Sequence, residues 1–273
     1  MSKPETIPID DPADPRLAAY AAIRERDLVG RQGRFIVEGD VTLRLMLSPG
    51  SRFRTESILL LPERLAGLSD CLGALPDPPP VYLAGRAVMS AVAGFPIHRG
   101  VLAVGLSGTS LEPDVLIPVP PAPATVLGLV GLTNHDNVGG LFRNAAAFGA
   151  DAVLLDPETC DPLYRKAIRV SAGAALTVPF ARAASADALL DLAERHDLVP
   201  LAMTPGAEHD IADAPLPARA LVLLGSEGPG LASGFMAKCR KTRIGMAPGF
   251  DSLNVATAGA IVLREFWRAR GRV

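Results

Sequence analysis

Three short segments in the second half of the chain combine polar or charged side chains with glycines. Residues 134–143 contain two asparagines, a pair of adjacent glycines and an arginine. Residues 225–231 place three glycines around Glu227, and residues 244–255 end in the run Ser-Leu-Asn-Val. Each segment follows a predicted strand, and ligands of open α/β sheets bind beyond the carboxyl ends of the strands. The sequence therefore predicts that the binding groups come from these three segments.

Each segment taken alone also has a purely structural interpretation. Asn134 or Asn137 can cap a helix that carries Arg143 on a solvated face. The glycines around the glutamate can form an ordinary tight turn, and Ser252 or Asn254 can be a plain N-cap of the last helix. The glycine spacing does not match a Gly-x-Gly-x-x-Gly dinucleotide site, and no Gly-Lys-Ser/Thr of a Walker loop follows it.

Composition narrows the class of protein. The 273-residue chain is 49% hydrophobic, which allows a sizeable core, and its formal net charge of −2 neither supports nor excludes a nucleic-acid partner. Its cysteines, Cys71, Cys160 and Cys239, are isolated, which argues against a disulfide framework and a structural zinc site. The N-terminus lacks the apolar stretch of a secretory signal, and no apolar run is long enough to span a bilayer. We therefore expect a soluble cytoplasmic protein.

The first part of the chain is predicted to be a small α/β domain. Residues 1–15 are rich in proline and aspartate and are expected to form a loosely held tail. Residues 16–110 form the domain, and residues 111–124, which contain five prolines, are predicted to be the interdomain linker. A helix is expected from Arg16, strands at 35–38, 57–60, 81–83 and 101–104, and helices around 41–47 and 86–92.

Residues 125–273 show a clearer alternation of strands and helices. This pattern predicts an α/β domain with a mainly parallel sheet and helices on both faces. The strands are expected at 126–132, 153–155, 177–180, 199–203, 221–224 and 242–246. The helices are expected at 138–148, 163–170, 184–196 and 255–268.

Together, and in this order, the three polar segments resemble the motifs of the SpoU/TrmH family of RNA 2′-O-ribose methyltransferases, in the SPOUT class. The residues that match the motifs are Asn134, Asn137, Gly139 and Arg143 in the first, Gly225, Glu227 and Gly228 in the second, and the run from Ser252 to Val255 in the third. The third motif departs from the family pattern, because Gly245 stands at a proline position and Pro248 where glycine is frequent. Residues 35–105 resemble more weakly the family's L30e-like substrate-binding domain.

The resemblance implies a fold, a cofactor and a partner. It implies that residues 125–273 form a SPOUT domain with a C-terminal trefoil knot, that residues 16–110 bind the RNA substrate, and that the protein is a homodimer. S-adenosyl-L-methionine would be held in the knot, and no metal is expected. The residues whose backbone would bind this cofactor are Gly225, Ile244, Met246 and Leu253.

The resemblance also implies roles for polar side chains. Arg143 would stabilise the oxyanion of a ribose 2′-hydroxyl or grip the adjacent phosphate, since its pKa is too high for a base. Glu227 would orient Arg143, Ser252 and Asn254 would hold the ribose or the arginine, and Asn137 would support the first motif.

The substrate is expected to be structured RNA, with rRNA favoured over tRNA because of the separate N-terminal domain. Four arginines are candidates either for contacts with the RNA backbone or for a solvated helix face; they are Arg16, Arg24, Arg31 and Arg34. The alternative function is a non-catalytic RNA-binding module that keeps the fold. A small-molecule methyltransferase with a Rossmann core is disfavoured, because the glycine-rich motif after the first strand is missing.

Overall fold

A computed structural model describes residues 4–21, 28–213, 215–226, 228–250 and 252–271. The chain divides into two compact units. The N-terminal unit consists of Met1–Thr109 and Leu163–Thr177, and the C-terminal unit of Ser110–Pro162 and Val178–Val273. Among the helices of the described residues, none combines the length and the apolar character that a bilayer crossing requires.

The N-terminal unit contains a mixed sheet of parallel and antiparallel strands. Its described strands are β1 (Thr6–Ile9), β2 (Arg34–Glu38), β3 (Arg54–Leu60), β4 (Val81–Ala84) and β5 (Val101–Leu106). Their order is β1-β4-β3-β5-β2, with β1, β4 and β3 parallel and β5 antiparallel to both β3 and β2. The helices of this part of the chain are α1 (Asp40–Met46), α2 (Ser69–Gly73) and α3 (Arg86–Ala93).

The prediction of a loosely held tail over residues 1–15 is wrong for the part that the structure describes. Residues 6–9 form β1 at the sheet edge, pair in parallel with β4 and bury Ile9. An edge strand tolerates Pro8, because the missing N–H can face away from the neighbouring strand. Asp14 then caps the 3-10 helix Pro15–Tyr20, which takes the place of the α-helix expected from Arg16.

The C-terminal unit contains a sheet whose described strands are all parallel, in the order β11-β9-β10-β6-β7-β8. The parallel α/β arrangement predicted from the alternating pattern is confirmed. The central strands β6 and β10 are apolar along almost their whole length because both of their faces are buried. In chain order the elements after residue 110 are β6 (Ala124–Val130), α4 (His135–Phe148), β7 (Ala152–Leu155), α5 (Arg165–Val170), β8 (Phe180–Arg182), α6 (Ala186–Arg195), β9 (Val199–Met203), β10 (Arg219–Gly225), α7 (Ser233–Met236), β11 (Arg240–Thr242) and α8 (Val255–Ala269).

Two segments belong to other units than the sequence pattern predicted. Residues 163–177, which include α5, pack in the N-terminal unit, where the backbone N–H of Arg52 donates to the carbonyl of Leu176 at 3.1 Å. Residues 111–124 are not a free linker, because Ile117 is buried in the core of the C-terminal unit and the Arg219 guanidinium donates to the carbonyls of Pro118 and Ala122. Neither assignment could be read from periodicity, which shows that a face is buried but not against what.

Two strands also lie elsewhere than predicted. The strand expected at 177–180 is β8, which begins at Phe180, and the strand expected at 242–246 is β11, which ends at Thr242. The apolar residues Ile244 and Met246 suggested a longer strand, but they line a cavity. Their apolar character therefore serves a binding surface and not a sheet.

Helices α4 and α8 pack closely because small residues meet at their contact. A Cβ added to Gly140 on α4 would lie 2.8 Å from the Cβ of Ala256 on α8, and one added to Gly259 would overlap the side chain of Leu141. The Asn144 side chain donates to the carbonyl oxygen of Ala256 at 2.7 Å. This contact holds the first turn of α8 against α4.

Replacing Gly140 with alanine should loosen this contact. The new methyl group meets a rigid Cβ, so overpacking of about 1–3 kcal/mol should outweigh the gain of about 1 kcal/mol in helix propensity. We expect a lower midpoint of urea unfolding, followed by circular dichroism. Gly234→Ala on α7 is the matched control, since its Cβ meets nothing within 4 Å. Equal midpoints for the two variants would contradict the close packing.

Candidate functional site

A cavity of about 540 Å³ lies at the carboxyl edge of the parallel sheet. Its walls come from residues that follow β9, β10 and β11 and from the first turns of α8. The residues that line it are Met203, Thr204, Pro205, Leu224, Gly225, Ser226, Gly228, Gly230, Ile244, Met246, Ser252, Leu253, Asn254, Val255 and Ala258. The four residues to which the family resemblance assigns cofactor binding, Gly225, Ile244, Met246 and Leu253, are all among them.

The lining residues that the structure describes include no aspartate, glutamate, lysine, arginine or histidine. Apolar side chains, hydroxyl groups and backbone groups therefore dominate the wall. Such a wall suits an aromatic ring system held by a few directed hydrogen bonds. Among the described lining residues no side chain could act as a general base.

The glycine-rich segment after β10 forms a tight turn. The Gly230 N–H donates to the Ser226 carbonyl at 3.1 Å, and Gly228 and Gly230 have φ angles of 89° and 65°, which favour glycine. A Cβ on Gly225 would lie 2.5 Å from the carbonyl carbon of Gly230. The segment is therefore a tight turn, and it also brings backbone groups to the cavity wall. Glu227 belongs to this segment but lies outside the described residues.

Asn254 connects the third motif with the first. Its side-chain oxygen accepts from the N–H groups of Ala256 at 2.9 Å and Thr257 at 3.2 Å, so it is the N-cap of α8. Its amide nitrogen donates to the side-chain oxygen of Asn137 on α4 at 2.8 Å. Asn137 is buried at 6% exposure. The capping interpretation of Asn254 therefore holds, and the same side chain joins two motifs that are 117 residues apart.

A buried polar cluster that the sequence analysis missed supports the segment before α4. The Asp156 carboxylate accepts from the Gly131 N–H at 3.1 Å, and the Thr159 hydroxyl oxygen accepts from the Leu132 N–H at 3.2 Å. The Arg182 guanidinium donates to the carbonyls of Asp156 and Thr159 at 2.5 and 2.8 Å. The position of Asp156 directly after β7, at the carboxyl edge, was the available signal.

Arg143 is exposed on α4 and is not among the residues that line the cavity. Within the described part of the chain its side chain makes no hydrogen bond or ion pair. A single chain therefore unites Asn137, Ser252, Asn254 and the predicted cofactor residues, but does not bring Arg143 into the cavity wall.

Among the described residues no three His, Cys, Asp or Glu side chains are placed to hold a metal ion. Burial raises the pKa of Cys160 to about 11, so this thiol, near the segment before α4, is protonated at neutral pH.

The family model and the curated relatives that match this chain both describe RNA methyltransferases. The SpoU rRNA methylase family matches residues 124–264. A protein of Mycobacterium tuberculosis, described as an uncharacterized tRNA/rRNA methyltransferase, is 40% identical over 268 residues, which cover 95% of this chain and 91% of that protein.

Solved structures share the fold. The crystal structure of an RNA 2′-O ribose methyltransferase has a TM-score of 0.77 and 28% identity, covering 97% of this chain and 99% of that one. An AdoMet-bound rRNA methyltransferase from Sinorhizobium meliloti has a TM-score of 0.80 at 20% identity, covering 96% of this chain and 98% of that one. With the family matched over more than half of its length, this chain belongs to the SpoU rRNA methylase family and is an RNA methyltransferase.

Proposed function

We propose that the protein transfers a methyl group from S-adenosyl-L-methionine to the 2′-hydroxyl of a ribose in structured RNA. One observation carries the proposal: Gly225, Ile244, Met246 and Leu253 line a single cavity whose described lining residues carry no charged side chain. The hydrogen-bonded pair of Asn137 and Asn254 lies where α8 begins, at the wall of this cavity. The 28% identity to an RNA 2′-O ribose methyltransferase over nearly the whole chain supports the ribose as the acceptor.

The cavity fits the cofactor. Apolar side chains such as Ile244, Met246 and Leu253 suit an adenine ring, and the turn at Gly225 lets backbone groups approach a ligand closely. When bound, the cofactor supplies an electrophilic methyl group on a sulfonium.

The protein's residues position the ribose and stabilise its developing charge. Ser252 lies on the cavity wall and holds the ribose by a hydrogen bond, while Asn254 and Asn137 fix the start of α8. Arg143 stabilises the 2′-oxyanion or binds the adjacent phosphate, and Glu227 orients its guanidinium. Because a guanidinium carries only N–H donors and no acceptor, the proton leaves through phosphate or water.

Arg143 reaches the site from a second copy of the chain. This arginine is exposed and absent from the cavity of its own chain. In a homodimer with two-fold symmetry, each chain can supply its Arg143 to the cavity of the other chain. The dimer is therefore part of the catalytic proposal.

The remaining features follow the family. We propose that the segments around 226–230 and 240–255 form the trefoil knot and that the N-terminal unit is the L30e-like domain that binds rRNA in preference to tRNA. We also propose a cytoplasmic location, which the isolated cysteines and an RNA substrate support.

Methyl transfer is tested with purified protein, tritiated cofactor and total RNA, followed by nuclease and alkaline digestion. Label should remain on the ribose and block alkaline cleavage at the modified nucleotide. Label found in a base would overturn the 2′-O assignment. Calorimetry that shows no cofactor binding would instead favour a non-catalytic RNA-binding protein.

Asn254 offers a test of the contact between the motifs. Asn254→Ser keeps a capping oxygen but is too short to reach Asn137, so it should lose about 1 kcal/mol of unfolding free energy with that hydrogen bond. The loosened start of α8 should lower kcat/KM about three- to tenfold. Asn254→Ala should lose similar activity and about 1 kcal/mol more of unfolding free energy, because the cap is also removed. Full activity in the serine variant would show that catalysis needs the helix cap but not the hydrogen bond to Asn137.

Arg143→Ala should abolish turnover but leave cofactor affinity unchanged, since Arg143 does not line the cavity. Gly225→Leu should block the cavity, because its Cβ would meet the backbone at Gly230. Mixing the two inactive variants should restore about a quarter of wild-type activity if each site uses two chains. Mixtures that stay inactive although heterodimers form would contradict the supply of Arg143 by a partner.

A further inference from the structure

Phe250 is an exposed aromatic residue in the third motif. The chain has nine phenylalanines, three tyrosines and one tryptophan, all within the residues that the structure describes. Each of them is buried or half-buried except Phe250, which is 74% exposed. The ring of Phe250 makes no aromatic or cation–π contact with any described residue. It therefore forgoes the gain of burial and does not serve the core of its own chain.

The third motif places Phe250 next to the cavity at the carboxyl edge of the C-terminal sheet. Met246 and Ser252 both line this cavity, and Phe250 lies between them in the chain. Two residues span at most about 7 Å, so the backbone of Phe250 lies within that distance of Ser252 on the wall. The exposed ring is thus attached at the edge of the cavity.

A tight turn fixes the backbone that carries this ring. The Phe250 N–H donates to the Ala247 carbonyl at 3.2 Å, and Gly249 has a φ of 85°. Proline at the second position and a glycine of positive φ at the third are the pattern of a type II turn. Pro248, which departs from the family pattern, is the second residue of this turn. The departure therefore stiffens the segment that holds the ring in solvent.

The chemistry of the acceptor determines where an RNA base must lie. The base of a nucleotide is bonded to C1′, the carbon next to the one that carries the 2′-hydroxyl. For methyl transfer the hydroxyl oxygen must come within about 3–3.5 Å of the methyl carbon of the cofactor. The base of the methylated nucleotide is therefore only a few bonds from the bound cofactor, at the edge of the cavity.

We propose that the ring of Phe250 is the stacking surface for the base of the methylated nucleotide. Aromatic side chains are the surfaces on which proteins hold unstacked RNA bases, and every base offers a π-face to them. Phe250 thus holds the nucleotide without reading its sequence, and the nucleotide is unpaired when it is methylated. The inference rests on the proposed function and deepens it, because it names a substrate contact of the same site.

Steady-state methyl transfer to total RNA from a strain that lacks this gene tests the contact. Phe250→Ala should raise the KM for RNA about tenfold and leave kcat within about twofold, because stacking holds the nucleotide before and during the reaction alike. Phe250→Tyr keeps the ring and should keep the wild-type KM. Phe250→Leu keeps an apolar side chain without a ring and should behave like the alanine variant. A wild-type KM in the alanine variant would overturn the inference.

Val115→Ala is the matched control. Val115 belongs to the same unit, is 71% exposed and does not line the cavity. Its replacement removes an exposed apolar side chain elsewhere, so the KM for RNA should change less than about twofold. Because both side chains are exposed, both alanine variants should unfold in urea at the wild-type midpoint.

Two measurements separate stacking from other contacts that an exposed ring can make. Calorimetry should give Phe250→Ala the wild-type affinity for S-adenosyl-L-methionine, and a tenfold loss would show that the ring covers the cofactor. Analytical ultracentrifugation should give this variant the oligomeric state of the wild type, and dissociation would show that the ring packs against a second copy of the chain. Either of these losses would overturn the inference.

Ultraviolet crosslinking provides a readout that does not depend on activity. Irradiation of the wild-type protein with the same RNA, followed by nuclease digestion and mass spectrometry, should give a nucleotide adduct on Phe250. Adducts that are confined to other residues would contradict the stacking contact.

The inference and the proposed function can fail separately. If ribose methylation proceeds and Phe250→Ala keeps the wild-type KM, the stacking contact is wrong and the proposed reaction stands. If label appears in a base while Phe250→Ala raises the KM for RNA, the 2′-O assignment is wrong and the contact stands.

Discussion

The hydrogen bond that Asn254 donates to Asn137 is the contact on which the geometry of the site depends. It joins the cap of α8 to α4, and the close approach of Gly140 to Ala256 allows the two helices to lie near enough for the bond to form. Because residues 252–255 belong to the cavity wall, a shift of α8 would change the cavity directly. The buried Asp156 and Thr159 side chains accept hydrogen bonds from Gly131 and Leu132, and so hold the segment that precedes α4.

The cavity and the proposed catalytic guanidinium lie on different parts of the chain. The described lining residues of the cavity carry no ionisable side chain, while Arg143 lies on the exposed surface of α4. In the proposed mechanism, methyl transfer therefore depends on dimer formation. The cofactor can bind to one chain alone, but an RNA ribose meets a complete site only when a second chain supplies Arg143. Methyl transfer then requires assembly as well as cofactor.

The stretch between β7 and β8 contributes to both units of the chain. Its first residues form the cluster of Asp156 and Thr159, which accepts hydrogen bonds from Gly131 and Leu132 before α4 begins. Its later residues form α5, which belongs to the N-terminal unit.

The sequence by itself determined the class of fold and predicted part of the cavity wall: Gly225, Ile244, Met246 and Leu253 line the cavity, whereas Met203, Thr204 and Pro205 were not predicted. Long apolar runs such as β6 and β10 indicate strands that are buried on both faces. Only the tertiary structure decided which other elements these strands and helices pack against. Periodicity could not place β1 at a sheet edge or α5 in the N-terminal unit, because it reveals a buried face but not its partner. The Asn137–Asn254 bond and the exclusion of Arg143 from its own cavity arise only when distant segments pack together.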